Sequence, residues 1–344
     1  MTAKIRDLAR QLNLSITTIS RALDGYPDVS AETRQRVIQA AREMGYEPSY
    51  AARHLRRQRA DAIGYVLPSE APQFSDPFSA SFLTGLCDEA ASSQIDIMIS
   101  SAPPQSDQEK QQYQRWVQSK RVDGVILNRI RKQDWRIQYL SDNHIPFVTL
   151  GKENAASEYP CVYADDRTGF KELIAHLAQQ GRRRIAFIGA DPDLIVHAER
   201  FASFQQALNT SGLSYIPELV RQSDLSETGG HHTALQLLAL PQPPAAILCA
   251  NDLTAIGALH AVQEAGLTAG KDVAVAGYDG IQESEYTTPP LTTLAQPTYD
   301  MARQTVLMLT SLIQGVSLPQ KQVVFKPHLI LRASTQGQAG VTRR

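Results

Sequence analysis

The sequence predicts two structures in series: an all-α helix-turn-helix head of about sixty residues, then an α/β body of two doubly wound parallel-sheet lobes. Three observations predict it. Residues 1–46 carry helical apolar periodicity broken by capping and turn residues. From Ile63 onward, short apolar runs alternate with helical segments, several closed by a glycine. The charge is also divided: residues 1–59 hold 11 basic and 6 acidic side chains, the remainder 23 and 29. A formal net charge of -1 thus conceals a basic head on an acidic body, which points to a polyanion met by the head.

The 344 residues are 42% hydrophobic and 20% charged, a globular profile with room for two or three domains. No run approaches the roughly 20 apolar residues needed to span a bilayer. The opening "MTAKIRDLAR" carries charge where an export signal has its apolar core, so a cytoplasmic chain without membrane contact is expected. Cys87, Cys161 and Cys249 lie far apart in or beside apolar segments, which suits reduced, buried thiols rather than a disulfide or metal site.

In the head, "TAKIRDLARQLN" places Ile5, Leu8, Ala9 and Leu12 on one helical face. Asn13 and Leu14 make a tight turn, and Ser15 is a good N-cap for a second helix over about Ile16 to Leu23. Ile19, Ala22 and Leu23 are expected to pack inward. "DGYP" ends that helix, Ser30 caps a third with Val37, Ala40, Ala41 and Met44 as its buried stripe, and Gly45 stops it. Two helices joined by a tight turn and braced by a third form the helix-turn-helix plan.

The second helix, "SITTISRAL", is rich in hydroxyls and β-branched residues that helix propensity alone would not select. Its composition makes sense if Thr17, Thr18, Ser20 and Arg21 face a DNA groove. Hydroxyls reach phosphates or base edges, a threonine methyl can touch a thymine methyl, and arginine forks onto guanine. The plainer alternative is a three-helix packing domain with a polar exterior.

"IRDLARQLNLSITTISRALDG", followed by "VSAETRQRVIQAAREMGYEPSYAARHLR", resembles the DNA-binding headpiece of the lactose/galactose-repressor (LacI–GalR) family. The resemblance implies that Ile16, Thr17 and Arg21 read bases, while Thr18, Ser20 and Ser30 orient the unit on phosphates. "SYAARHLRR", too short to stay helical alone in water, matches the family's hinge. Leu55 would wedge into the minor groove amid Arg53, Arg56 and Arg57, whose charge suits phosphate, with Tyr50 also among the DNA contacts; the plainer alternative is a leucine docked on the next domain. Domain bounds follow: 1–47 for the headpiece, 48–60 for hinge helix and linker, and 61–344 for the core.

In the body, the strands expected are 63–67, 95–100, 123–127, 146–150, 184–189, 245–250, 272–278 and 291–295. Helices such as "DRTGFKELIAHLAQQG" and "NDLTAIGALHAVQEAG" lie between them. The segment from Ile63 to Arg332 is similar to the family's effector-binding core, which has a periplasmic-binding-protein-like fold. The resemblance implies chain crossings near residues 163, 293 and 325. The first lobe would then hold about 61–163 and 294–325, the second about 164–293 and 326–344. A ligand would lie in the cleft at the carboxyl ends of the strands.

The resemblance places Phe78, Ser79, Asp165, Arg200, Asn251, Asp279 and Gln296 in that cleft. Carboxylates, amides and a guanidinium suit a polyol, and Phe78 could cover an apolar sugar face. The sequence departs from the family at several points. Ser79 replaces the second aromatic of the common "PFF", Leu225 and Thr298 stand where some members have aromatics, and Ser203 and Asp166 replace Gly and Asn. Fewer aromatics weaken the case for a purine.

Catalysis has little support. The chain lacks a phosphate-cradling GxxxxGK[ST], a GxSxG elbow and an HExxH. Adjacent His231 and His232 point apart on a helix, so no metal is expected, nor any cofactor. The expected protein is a non-enzymatic repressor, homodimeric on a pseudo-palindromic operator in double-stranded DNA, answering to a mono- or oligosaccharide. A purine- or nucleoside-responsive corepressor system is the alternative within the class. A sugar-binding transport component and a sugar-processing enzyme with an appended headpiece are the rivals outside it. The tail after Arg332 lacks a leucine heptad, so no tail-built tetramer is expected.

Overall fold

A computed structural model of the chain describes residues 4–23, 26–46, 59–69, 76–153 and 157–337. They fall into two compact units that divide between Ala60 and Asp61. The expected hinge residues Tyr50, Arg53 and Leu55 lie outside the described residues.

In the first unit, α1 (Ile5–Leu12), α2 (Ile16–Leu23) and α3 (Ala31–Glu43) follow the predicted order. Asn13 ends α1 in the left-handed region with φ 51°, a conformation asparagine tolerates. Ser15 accepts the backbone N–H of Thr18 at 2.9 Å and so starts α2 after a two-residue turn. Leu8, Ile19, Ala22, Val37, Ala40 and Ala41 form the buried core that joins the three helices.

The second unit contains two six-stranded sheets. In the first, β1 (Ala62–Pro68), β2 (Asp96–Ala102), β3 (Gly124–Leu127), β4 (Phe147–Leu150) and β5 (Cys161–Ala164) are joined by β11 (Gln322–Phe325). Their order is β11-β5-β4-β3-β1-β2, with every pairing parallel. The second contains β6 (Ile185–Gly189), β7 (Val220–Gln222), β8 (Ala246–Cys249), β9 (Ala274–Asp279), β10 (Thr292–Ala295) and β12 (His328–Ile330). Its order is β12-β10-β9-β8-β6-β7, parallel except for the antiparallel edge strand β12.

Each lobe buries two apolar clusters. Phe82, Ile126 and Leu309 belong to one in the first lobe, and Trp116 and Leu140 to the other. Phe170 and Phe204, then Ile247 and Val262, mark the pair in the second lobe. Buried strands of this kind read as unbroken apolar runs, which is why the inner strands were legible.

The chain passes between the sheets after β5, after β10 and after β11. The second passage falls at Gln296–Pro297, later than the expected 293, because Leu294 and Ala295 still pair with Leu329 and His328 of β12. In both sheets strand order reverses, between β1 and β3 and between β6 and β8. Open α/β sheets bind small molecules outside the carboxyl ends of strands at such reversal points.

Candidate functional site

The first unit offers a nucleic-acid face on α2. Ile16 is 45% exposed, unusual for an isoleucine at a helix start, and Thr17 and Arg21 are exposed beside it. Arg21 is held in place: Asp28 accepts from its Nε at 3.2 Å and pairs with its Nη2 at 2.6 Å. The guanidinium also lies 4.7 Å from the centre of the Tyr26 ring. A fork fixed at one end is preorganised for a bidentate partner at the other. Thr18 is half-buried, its hydroxyl 2.8 Å from that of Ser15. Ser30 caps α3 by accepting the Thr33 N–H at 3.2 Å.

Ser20 departs from expectation. It is 6% exposed and does not face outward with Arg21. At 100° per residue it falls within about 60° of Leu23, on the flank of the buried stripe, whereas Arg21 points nearly opposite Ile19.

In the second unit a cavity of about 450 Å³ opens between the sheets, lined from both lobes. Asp76 caps α4 (Pro77–Ser92), which brings Phe78 and Ser79 to the wall beyond β1. Phe78 stacks on Phe82 with ring centres 6.3 Å apart, and Ser79 donates to Asp76 at 2.8 Å. Beyond β3, Asn128 and Arg129 form another part of the wall, with Arg129 at φ 50°.

From the second lobe, Arg200 on α8 (Ile195–Thr210) is 8% exposed and sits at the centre of a polar network. It donates to the carbonyl of Ala250, approaches Asp279 at 3.6 Å, and lies over the Tyr278 ring at 3.7 Å. Gln296 donates to Asp279 at 2.7 Å. Burial raises the Asp279 pKa well above the carboxylate range, against the pull of Arg200. Asp279 also holds φ 111°, a strained backbone of the kind that persists where surrounding structure over-determines it. Asn251 accepts from the Thr254 N–H at 3.0 Å and donates to the Leu225 carbonyl at 2.9 Å, so one residue caps α10 (Asp252–Glu264) and fixes the opposite wall.

Gly257 on α10 lets α9 (Glu227–Leu238) come close: a Cβ there would collide with the Glu227 carbonyl. That approach brings Glu227 to the cavity, where His260 pairs with it at 3.1 Å. Beneath the wall, buried Asp252 accepts from the N–H groups of Gly280 and Ile281 at 2.8 and 2.9 Å and from the Thr293 hydroxyl. It thereby fixes the turn that presents Asp279.

Of the expected cleft residues, Phe78, Ser79, Arg200, Asn251, Asp279 and Gln296 line this cavity, and Asp165 does not. Asp165 instead caps α7 (Asp166–Gln179), accepting from the Thr168 hydroxyl at 2.7 Å. Its neighbour Asp166 takes the wall position and accepts from the Tyr278 hydroxyl. The i, i+3 relation of Asp165 to Thr168 was the available signal for the cap. Sequence reasoning also missed Asp76, Asn128, Glu199, Asp224 and Glu227, all on the wall. Among the described residues no group of three or more His, Cys, Asp or Glu side chains is arranged to hold a metal ion. Nor is any helix among them long and apolar enough to cross a membrane.

Comparison with known proteins agrees with both units. Residues 4–49 match the family of bacterial regulatory proteins, lacI family, and residues 174–335 a periplasmic binding protein-like domain. The chain is 33% identical over 340 residues to the HTH-type transcriptional regulator AglR of Rhizobium meliloti, covering 97% of this chain and 95% of that one. It is 32% identical over 336 residues to the HTH-type transcriptional repressor CytR of Escherichia coli, covering 97% and 96%. Among solved structures, a complex of the transcriptional regulator CelR with cellobiose superposes with a TM-score of 0.75 at 27% identity, covering 96% of this chain and 99% of that one.

Proposed function

Because the chain belongs to the LacI family of bacterial transcriptional regulators, we propose that its interlobe cavity is the effector site and that a mono- or oligosaccharide bound there changes operator affinity. The protein is a DNA-binding regulator of the repressor type; the effector, the site residues and the assembly are the proposal. The observation that carries it is the Arg200–Asp279–Gln296 network, displayed on a cavity wall where strand order reverses in both sheets. Fixed acceptors and donors on a half-apolar wall suit a polyol's neighbouring hydroxyls, and the cellobiose complex of a relative adds to this reading.

On DNA, Ile16, Thr17 and Arg21 read base edges, while Thr18 and Ser30 set the register on phosphates. Two headpieces of a cytoplasmic homodimer occupy the two half-sites of a pseudo-palindromic operator, as two-fold symmetry requires. Tyr50, Arg53 and Leu55 of the hinge contact the minor groove, with Leu55 as its wedge. The ligand favours one arrangement of the two lobes, and reciprocity then obliges it to change DNA affinity.

The test is fluorescence anisotropy of the full chain on DNA from upstream of its own gene, titrated with a panel of sugars and nucleobases. Release by one sugar establishes an inducible repressor. Tightening by a nucleobase makes it a corepressor system. Saturable operator binding that no compound alters removes the effector claim.

A further inference from the structure

Among the described residues, six carboxyl groups line the cavity (Asp76, Asp166, Glu199, Asp224, Glu227 and Asp279) against two guanidinium groups, Arg129 and Arg200. Five of the six have partners. Ser79 bonds Asp76, Tyr278 bonds Asp166, Ser226 bonds Asp224, His260 pairs with Glu227, and Gln296 bonds Asp279. Glu199, half-buried on α8 one residue before Arg200, has no hydrogen bond or close ion pair to a described residue.

We propose that Glu199 is the specificity-determining residue for a positively charged effector, an amine-bearing sugar whose ammonium group seats against its carboxylate. This deepens the effector reading above and rests on it.

A half-buried carboxylate with no protein partner is partly desolvated, and a ligand that supplies a donor recovers that cost. The rest of the described wall leans the same way: even with the burial-shifted Asp166 and Asp279 set aside, Asp76, Asp224 and Glu227 outnumber Arg129 and Arg200, and the apolar stretch of Ile130, Leu150, Val196 and Leu225 lies among them. Burial first, then the charge of Asp166, pushes the Glu199 carboxyl up to about 7, against the opposing pull of Lys152, Arg200 and Arg167. A carboxyl shifted this far up takes a proton readily near neutral pH, and an ammonium group would draw it into its ionised form. Binding of an amine should then release a proton and tighten as pH rises toward 7. A neutral polyol has no such requirement.

The experiment is calorimetric titration of the full chain with D-glucosamine, D-glucose and N-acetyl-D-glucosamine, and with the corresponding galactose set, at pH 5.5 and 7.0. Wild type and the isosteric Glu199→Gln variant are compared. An amino sugar is expected to bind about tenfold or more tighter than its neutral twin, in line with a charge-assisted hydrogen bond. The gap should widen by up to about tenfold from pH 5.5 to 7.0 and close in Glu199→Gln. Neutral twins that bind as tightly as the amines, or a gap that survives Glu199→Gln, overturn the inference. Release of operator DNA by a neutral sugar but by no amine overturns it while leaving the effector site intact. Operator binding indifferent to every compound overturns the effector reading as well.

Discussion

Arg131 of the first lobe and Asp191 of the second stand 2.8 Å apart, an ion pair that ties the two lobes together at the rim of the cavity. The backbone does the same beside it. Ile195 donates its N–H to the Ile130 carbonyl at 2.8 Å, and Lys132 donates to the Asp193 carbonyl at 3.1 Å. Ile130 and Ile195 both line the cavity, so the clasp meets the cavity wall through these two residues.

Substituting Arg131→Ala should therefore act on lobe closure more than on folding. The pair is partly exposed, so its loss should cost at most about 1 kcal/mol of stability. Ligand affinity should fall by a few fold, and small-angle scattering should show a wider distribution of lobe separations. Reversing both charges, Arg131→Asp with Asp191→Arg, should restore the narrow distribution. A double variant as open as the single one would show that the pair is not what holds the rim.

Arg136 behaves differently because it is buried. It pairs with Asp134 at 2.6 Å and Glu109 at 3.4 Å and donates to the carbonyls of Asn128 and Arg129, each at 3.1 Å. Removing it leaves two carboxylates inside the lobe without their cation. Arg136→Ala should lower unfolding free energy by about 3–5 kcal/mol, measured by urea denaturation. A loss below about 1 kcal/mol would mean the cluster is hydrated and its charges screened.

The turn bearing Asp279 should respond to pH through Asp252. Burial pushes the Asp252 carboxyl up to about 7 despite the three donors it accepts from. The folded state then holds its proton more tightly than the unfolded chain between about pH 4 and 7. Its contribution is fully present at the acid end and declines as pH rises to about 7. The stability of wild type relative to Asp252→Asn should fall across that window and level off above it. A difference that rises with pH instead would place the group's pKa below its unfolded value.

On the DNA side, Arg21→Ala should cost about 1–3 kcal/mol at one base pair of each half-site and relax the preference there. Competition among operators substituted one position at a time measures it. A uniform loss across all sequences would make Arg21 a phosphate contact instead.

The headpiece was legible because its helices carry capping residues and a short apolar stripe, and the inner strands because they are continuous apolar runs. The strands Cys161–Ala164, Val220–Gln222, Gln322–Phe325 and His328–Ile330 were not. They are three or four residues long, and three of them border their sheets with half-exposed side chains that set up no period. Their pairing depends on distant segments: Gln322 meets Cys161 only because the chain returns to the first lobe after β10 and runs through α11 (Thr298–Ile313) before β11. The cavity was legible through the family resemblance, which put Arg200 and Asp279 on its wall. Adjacent Asp165 and Asp166 were not separable by type, since the helix start decides which one caps and which one faces the wall. Glu199 gave no signal beside Arg200, because its missing partner is visible only once the other five carboxyl groups have found theirs.

The central claim is that a ligand in the interlobe cavity is coupled to operator affinity, and reciprocal titration tests it most directly. Operator affinity is measured with and without saturating ligand, and ligand affinity with and without saturating operator. The two should change by the same factor, about 5- to 150-fold for couplings of ordinary size. An operator affinity that stays constant while the ligand occupies the cavity would contradict it.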